Sequence, residues 1–237
     1  MQIFSFQRFL EDFPTLLPYL PITIGILGLS VIFSLAFGMF LTWCKFRKNR
    51  VVRAIVNIYT QIIRGTPFIV LLFLVYFGLP VLCRDAFGID ISGWSRVVYI
   101  VMTLSTFGSC RMSEAMRAAY LSVPKDQMEA AYSCGLSTSQ GFWHIVFPQT
   151  TLLALPNLCN LIISNLLETS VGFSIGIIDF FGNARLVITR SYGVGALEVY
   201  LVVAVVYWLM SILLQKISER IEFHLKVGQG LLLTSGR

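Results

Sequence analysis

A chain of 237 residues that is 56% hydrophobic and only 13% charged, with a mean hydropathy of +0.77, carries more apolar surface than a soluble domain of its size can bury. The composition excludes an ordinary soluble globular protein and predicts an all-helical, multi-spanning membrane protein in contact with lipid. The net charge of +6 does not indicate nucleic-acid binding, because the basic residues flank apolar runs and orient the chain instead.

Charge-free stretches extend from Phe13 to Cys44, Gly65 to Cys83, Ile145 to Leu167 and Val199 to Gln215, each near the roughly 20 residues that a helix needs to cross a bilayer core. A weaker run begins at Val97 and continues through Arg111 and Glu114 to about Ala119. The predicted count is five spans. No basic segment precedes the first run, and Lys45, Arg47, Lys48 and Arg50 follow it directly, so it reads as a retained span. Basic residues concentrate in Lys45 to Arg53, Arg64, Arg117, Lys125 and Lys216 to Arg237 on one side, against Arg8, Arg84, Arg96, Arg185 and Arg190 on the other. The richer side is expected to be cytoplasmic, which places the N-terminus outside and the C-terminus inside. Residues 1–17 then form an extracytoplasmic segment, 18–222 the membrane unit and 223–237 a cytoplasmic tail. The cysteines at 44, 83, 110, 134 and 159 lie singly, without CxxC or ligand spacing. They predict packing rather than disulfides or a metal site.

Residues Val51 to Arg64 place Val52, Ile55, Val56, Tyr59, Ile62 and Ile63 on one helical face, opposite Arg53, Asn57, Thr60 or Gln61, and Arg64. The following 64-RGTP-67 predicts a bend at Gly65 and Pro67. In 127-QMEAAYSCGLSTSQGFWHIVFP-148, Gln127 to Cys134 suit a short helix and Gly135 a left-handed stop. Ser137 and Gln140 have capping-box spacing for a second helix, expected to break at Pro148. The small Ala130 and Ala131, acidic Glu129 and aromatic Tyr132, Phe142 and Trp143 fit either a docking element or an ordinary interfacial loop.

Glu129-Ala130-Ala131, three residues, Gly135, nine residues, then Ile145-Val146-Phe147-Pro148 resembles the EAA loop of ABC importer permeases, with Phe147 in place of the usual Leu. The order and spacing of 64-RGTPFIVLLFLVYFGLP-80, 122-SVPKDQMEAA-131 and 148-PQTTLLALPNLCNLIISNLLETS-170 are similar to the polar amino acid subfamily, and the likeness runs from Ile22 to Glu222. Arg111 and Ser113 stand where that family usually has Tyr and Ala, Asp126 where it has Gly, and Glu168 where Lys commonly precedes Thr-Ser. The resemblance implies a type I ABC importer permease fold of about five spans with a cytoplasmic coupling helix-turn-helix near 121–148. It further implies a bacterial inner-membrane location, alternating access, a second permease copy or paralogue and an extracytoplasmic solute-binding protein. A separate ABC ATPase would dock on Glu129, Ala130, Ala131, Gly135, Ile145 and Pro148. The chain has no GxxxxGK[ST], so no ATP or other cofactor is expected on it, and the expected cargo is a polar amino acid.

Ionisable groups in a span are costly unless partnered or functional. Glu114 has Arg111 and Arg117 three residues away on either side and suits either a structural ion pair or the substrate path. Asn157 and Asn160 can share a helical face with Glu168. These residues, with Thr169 and Ser170, form the candidate substrate path, and the same carboxylates leave a proton- or ion-coupled secondary transporter or channel as the alternative. Residues 172-GFSIG-176, followed by Asp179 and His224, match a nucleophile-elbow pattern, but the apolar flanks do not suit the strand-turn-helix that such an elbow requires.

Overall fold

The computed structural model describes residues 5–228, and the described elements are helices. Helix α1 (Phe6–Leu16) leads through one 3-10 turn into α2 (Leu20–Lys45), followed by α3 (Arg50–Gly65), α4 (Phe68–Phe73), α5 (Leu79–Phe87) and α6 (Arg96–Ser122). Two short helices, α7 (Asp126–Ser133) and α8 (Thr138–Gly141), precede α9 (Phe147–Thr169), α10 (Phe180–Arg190) and α11 (Ala196–Gly228). Among the described residues, four helical runs are long and apolar enough to cross a membrane: Phe6–Lys45, Phe68–Phe87, Thr138–Ile175 and Ala196–Val227. The expected five spans therefore resolve into these four and the 27-residue α6, about 40 Å long at 1.5 Å per residue, whose Arg111, Glu114 and Arg117 make it less apolar.

Helix α6 lies in the middle, against α2 on one side and α9 on the other. The α2 face turned toward it carries Ser30, Ser34 and Gly38, small residues four apart that let two backbones approach closely. A β-carbon at Gly38 would sit 3.2 Å from the carbonyl oxygen of Ser109, and one at Gly108 would lie 2.8 Å from Asn165 Nδ2 while colliding with Ser34 Oγ. Gly108 is thus the point where α2, α6 and α9 meet.

Charge fixes the same contact. The Lys45 ammonium, on a side chain only 2% exposed, reaches Glu114 Oε1 at 2.6 Å and donates to Ser113 Oγ at 3.0 Å. Arg117 Nε holds the other carboxylate oxygen at 2.9 Å. Apolar clusters close the bundle on either flank. Leu27, Leu166, Phe180 and Val202 join α2, α9, α10 and α11, while Ile26, Leu72, Tyr99 and Leu104 join α2, α4 and α6. Asp179 caps α10 by accepting from the Gly182 backbone N–H at 2.9 Å and from Thr23 Oγ1 at 3.0 Å, which ties that helix to α2. Helix α1 packs on α10 and α11, and Glu198 accepts the Ser5 backbone N–H at 2.8 Å. Helix α11 runs on through residues 223–228; the rest of the expected tail, 229–237, lies outside the described residues.

On α3, Val52, Val56, Tyr59 and Ile63 of the apolar face are partly buried and Ile55 and Ile62 are both 62% exposed, while Arg53, Asn57, Gln61 and Arg64 lie exposed; of Thr60 and Gln61, Thr60 is the buried one, at 1% exposed. Thr60 donates its hydroxyl to the Asn57 carbonyl of its own helix at 3.1 Å. The break expected at Pro148 is corrected by the structure. Residues Phe142–Val146 widen into a single π-turn, and Pro148 falls in the first turn of α9, so the helical path is continuous from Thr138. The wider turn absorbs the donor that proline lacks. The same device precedes Pro80, where Leu74–Gly78 form a π-turn ahead of α5. The bend at 64-RGTP-67 is present, with Thr66 extended between α3 and α4.

Gly108→Val is expected to lower the thermal unfolding midpoint in detergent, overpacking costing about 1–3 kcal/mol, whereas Gly25→Ala, with open space around it, is expected to change it little. Lys45→Met is expected to destabilise far more than Arg117→Met, since breaking a buried pair costs roughly 3–5 kcal/mol and an exposed one about 1 or less. Lys45→Met combined with Glu114→Leu is expected to recover most of the loss, which the same melting measurement reads.

Candidate functional site

Two places collect the polar residues singled out above: the loop between α6 and α9, and a cavity among α3, α6 and α9. The loop is a preformed helix-turn-helix. Gly135 has φ +78°, and the backbone N–H groups of Gly135 and Leu136 close α7 on the carbonyls of Tyr132 and Ala131 at 2.9 and 3.0 Å. The capping box is complete. Gln140 N–H donates to Ser137 Oγ at 3.3 Å, and Ser137 N–H donates to Gln140 Oε1 at 2.9 Å.

The two alanines of the loop have different surroundings. Ala130 and Glu129 are exposed, whereas Ala131 is 1% exposed and packs against Gly141, where a β-carbon would sit 3.2 Å from its own. Small size at 131 therefore lets α7 and α8 close on each other. Tyr132, Trp143 and Phe147 expose about half of their surface. Phe142, Trp143 and Phe147 form one aromatic cluster with ring separations of 4.9–6.1 Å. That cluster continues through Tyr120 to Phe46 at the end of α2. Ile145 and Pro148 line a cleft of about 1170 Å³ that is shared with Gln127, Gln149 and the end of α11. Gln149 Nε2 donates to Gln127 Oε1 at 3.1 Å across it.

The second place is a cavity of about 550 Å³ lined by Arg64, Phe107, Arg111, Glu114, Ala115, Ala118, Asn157 and Leu161. It brings together Glu114 and Asn157 of the expected substrate path. Glu168 adjoins it through Arg111, whose Nη1 lies 2.8 Å from Glu168 Oε1. Asn160 is exposed on α9. Thr169 is fully buried, donating to the Leu166 carbonyl at 2.7 Å and lying 3.4 Å from the Tyr207 hydroxyl of α11. Ser170 donates to the Leu167 carbonyl at 2.7 Å. None of these last three lines the cavity.

Of the two arginines flanking Glu114 in sequence, Arg117 is its partner and Arg111 belongs to Glu168. The positions where Arg and Glu stand for the usual Tyr and Lys are therefore each other's counterpart. Sequence reasoning missed Lys45 as a partner of Glu114 and Arg64 and Phe107 as cavity residues. Each was absorbed into a flanking basic cluster, a helix face or an apolar run, and only the pairing of an interior carboxylate with some distant cation hinted at Lys45.

The residues of the elbow-like pattern do not converge. Ser174 lies in a 3-10 turn and donates to the Val171 carbonyl at 2.7 Å, and Asp179 is spent on its cap and on Thr23. His224 lines the cleft at the opposite end of α9. Among the described residues no group of His, Cys, Asp and Glu is placed to hold a metal ion.

Comparison with known proteins agrees with this arrangement. Residues 34–227 match the model of the binding-protein-dependent transport system inner membrane component family. The chain is 38% identical to the L-cystine transport system permease protein TcyL of Bacillus subtilis (strain 168), over 96% of this chain and 95% of that one. It is 32% identical to the probable amino-acid ABC transporter permease protein PatM of Vibrio harveyi, over 91% and 93%. Among solved structures it superposes with a TM-score of 0.80 and 26% identity on a chain of an amino acid ABC transporter crystallised with histidines, covering 94% of this chain and all of that one. The chain belongs to the binding-protein-dependent transport system inner-membrane components, the membrane-spanning permease subunits of ATP-driven ABC importers.

Proposed function

We propose that this chain carries an amino acid through the membrane along the cavity between α3, α6 and α9, and that a separate ATPase subunit drives it by docking on the helix-turn-helix of α7 and α8. The relatives named above are amino-acid permeases, which supports the cargo class. The observation that carries the docking half is the loop itself: rigidly closed by its left-handed glycine, capping box and Ala131–Gly141 contact, yet exposing Glu129, Ala130, Tyr132 and Trp143. Rigid elements with exposed aromatic side chains suit an interface, because little order remains to be imposed on binding.

In this reading Glu129 and Ala130 meet the ATPase, Ala131 and Gly135 hold the loop in shape, and Ile145 and Pro148 join it to α9. Glu114, Asn157 and Glu168 border the path. Asn160, Thr169 and Ser170 serve the walls of the α9 helix or its neighbours, Asn160 on an outward face that a second permease copy or paralogue would cover. ATP is bound by the ATPase subunit, and a solute-binding protein delivers cargo from outside. The N-terminus is extracytoplasmic and the loop cytoplasmic, so the ATPase and the cation-rich side coincide.

Cysteines placed at Ser92 and Ser139, both exposed, test the orientation. An impermeant thiol reagent added from outside is expected to label the first and not the second, and the reverse would overturn it. Ala130→Trp and Gly135→Val test the docking. The first blocks the surface; the second forces a β-branched residue into φ +78°, a strain of about 1 kcal/mol or more. Both are expected to insert normally and to lose ATPase co-purification and uptake together. Retention of both activities in both variants would remove the loop from the mechanism.

A further inference from the structure

We infer that the Arg111–Glu168 ion pair is the receiving site for the charged end of a zwitterionic or acidic amino acid, the incoming carboxylate replacing Glu168 on Arg111 while the incoming ammonium is accepted by Glu168. This inference rests on the reading of the chain as an amino-acid permease and adds the class of cargo.

The geometry is set by two antiparallel helices. Tyr120 near the end of α6 meets Phe142 ahead of α9, and Gly108 lies against Asn165. Side chains lean toward the start of their own helix, so Arg111 and Glu168 reach toward each other along the bundle axis. Their contact is a single one, Nη1 to Oε1 at 2.8 Å, and no second hydrogen bond joins them. Glu168 Oε2 is buried and has no hydrogen-bond partner among the described residues. One turn earlier on α9, Asn165 is fully buried with neither its oxygen nor its nitrogen partnered, and Ser105 Oγ on α6 is likewise unpartnered. Buried polar atoms are rarely left so. Ser105 lies on the side of α6 that faces α2, but the unmet groups of Asn165 and Glu168 gather where α9 faces α6, beside a guanidinium that sits 5.2 Å from the Phe107 ring at the wall of the 550 Å³ cavity.

The exchange leaves no charge stranded. Arg111 keeps one carboxylate partner and Glu168 gains an ammonium, so two pairs replace one and the net charge of the site does not change on binding a zwitterion. The cavity volume falls within the range of small-molecule sites. The wider field then sorts the cargo. The ionisable groups that line the cavity or pair with its lining are Lys45, Arg64, Arg111 and Arg117 against Glu114 and Glu168. Arg64 makes no ion pair among the described residues. Cations exceed carboxylates, so a neutral or acidic side chain is favoured and a cationic one repelled.

The test uses the complex of this chain with its ATPase in lipid nanodiscs and equilibrium binding of two probe series. One is L-cystine with cystamine, which lacks the carboxylates, and 3,3′-dithiodipropionate, which lacks the ammoniums. The other is L-glutamine with 4-aminobutanamide and glutaramate. At least one intact amino acid is expected to bind about tenfold or more tighter than both of its truncated analogues, the loss expected for one charged hydrogen bond. L-Arginine is expected to bind more weakly than that amino acid. Glu168→Gln is expected to bring the amino acid down to the level of its deaminated analogue without weakening the analogue, Arg111→Gln to do the same for the decarboxylated one, and Glu168→Asp to keep the preference. If the amino acids bind well but both Gln variants weaken every probe alike, or if L-arginine binds best, the ion pair is a packing element and the inference fails while the amino-acid reading stands. If the wild-type complex, still holding its ATPase, binds neither L-cystine, L-glutamine nor L-arginine, the amino-acid reading fails as well. The wild-type comparison needs no substitution, so a variant that fails to assemble leaves the inference tested.

Discussion

The structure depends on keeping a charged helix in the middle of an apolar bundle. Helix α6 carries Arg111, Glu114 and Arg117 within two turns, and an ion left without a counter-ion away from water is prohibitive. Its neighbours supply the remedy: Lys45 at the end of α2 answers Glu114, and Glu168 on α9 answers Arg111. Each pair crosses from one helix to the next, so the charges that would otherwise expel α6 specify where it sits. The small residues finish the job that the ions begin. Ser30, Ser34, Gly38 and Gly108 bring the backbones close enough for a lysine and a glutamate on different helices to touch. In a bundle surrounded by lipid there is little hydrophobic drive between helices, so close packing and polar contacts carry the association.

The two pairs differ in how completely they are satisfied, and that difference separates scaffold from site. Both oxygens of Glu114 are taken, one by Lys45 and one by Arg117, and Lys45 also donates to Ser113. Nothing in that cluster asks for another partner. Glu168 uses one oxygen and leaves the other buried and free, next to an asparagine with the same deficit. A fully met network rigidifies, whereas a partly met one is unstable until something completes it. By this criterion the cavity has a fixed wall at Glu114 and, in the proposed reading, a responsive one at Arg111, whose partner Glu168 adjoins it.

Much of the fold is legible in the sequence because a bilayer imposes length and polarity directly on the chain. The apolar runs, the bend at Gly65 to Pro67 and the short helices around Gly135 each follow from local rules and are present. What was not legible depends on which side of a helix faces which neighbour. The spacing of Val52, Ile55, Val56 and Ile62 defines a stripe on α3 but not which part of it protein covers: Val52 and Val56 are partly buried, whereas Ile55 and Ile62 are exposed. Pro148 was read as a break because a proline removes one hydrogen bond, yet a turn one residue wider removes the need for it. In the candidate site, Glu114, Asn157 and Glu168 stand out as polar residues in apolar runs. Lys45 and Arg64 do not, since a cation at the end of a span is what orientation alone requires. Ala131 was legible as a small residue with a purpose, but its neighbour Gly141 is ten positions away, and only the folded loop reveals that the two need each other.

The unbroken passage through Pro148 bears on how the α7–α8 loop and the cavity are connected. The helical path from Thr138 to Ile175 starts inside the loop, passes through one π-turn and carries Asn157 and Glu168 two to six turns further on. A chain that broke at Pro148 would join the two regions through a flexible corner, and a displacement of the loop would be lost there. A π-turn keeps its hydrogen bonds, so the helix transmits force along its axis while having a defined place to bend. The aromatic rings of Phe142, Trp143 and Phe147 surround that place, and Tyr120 and Phe46 link it to the ends of α6 and α2. A push on the loop would reach Glu168 along one continuous element, while Lys45 and Glu114 hold α2 and α6 together as a unit. Any movement of α9 against that unit would stretch or close the Arg111–Glu168 contact, the one ion pair among the described residues that joins α6 to α9.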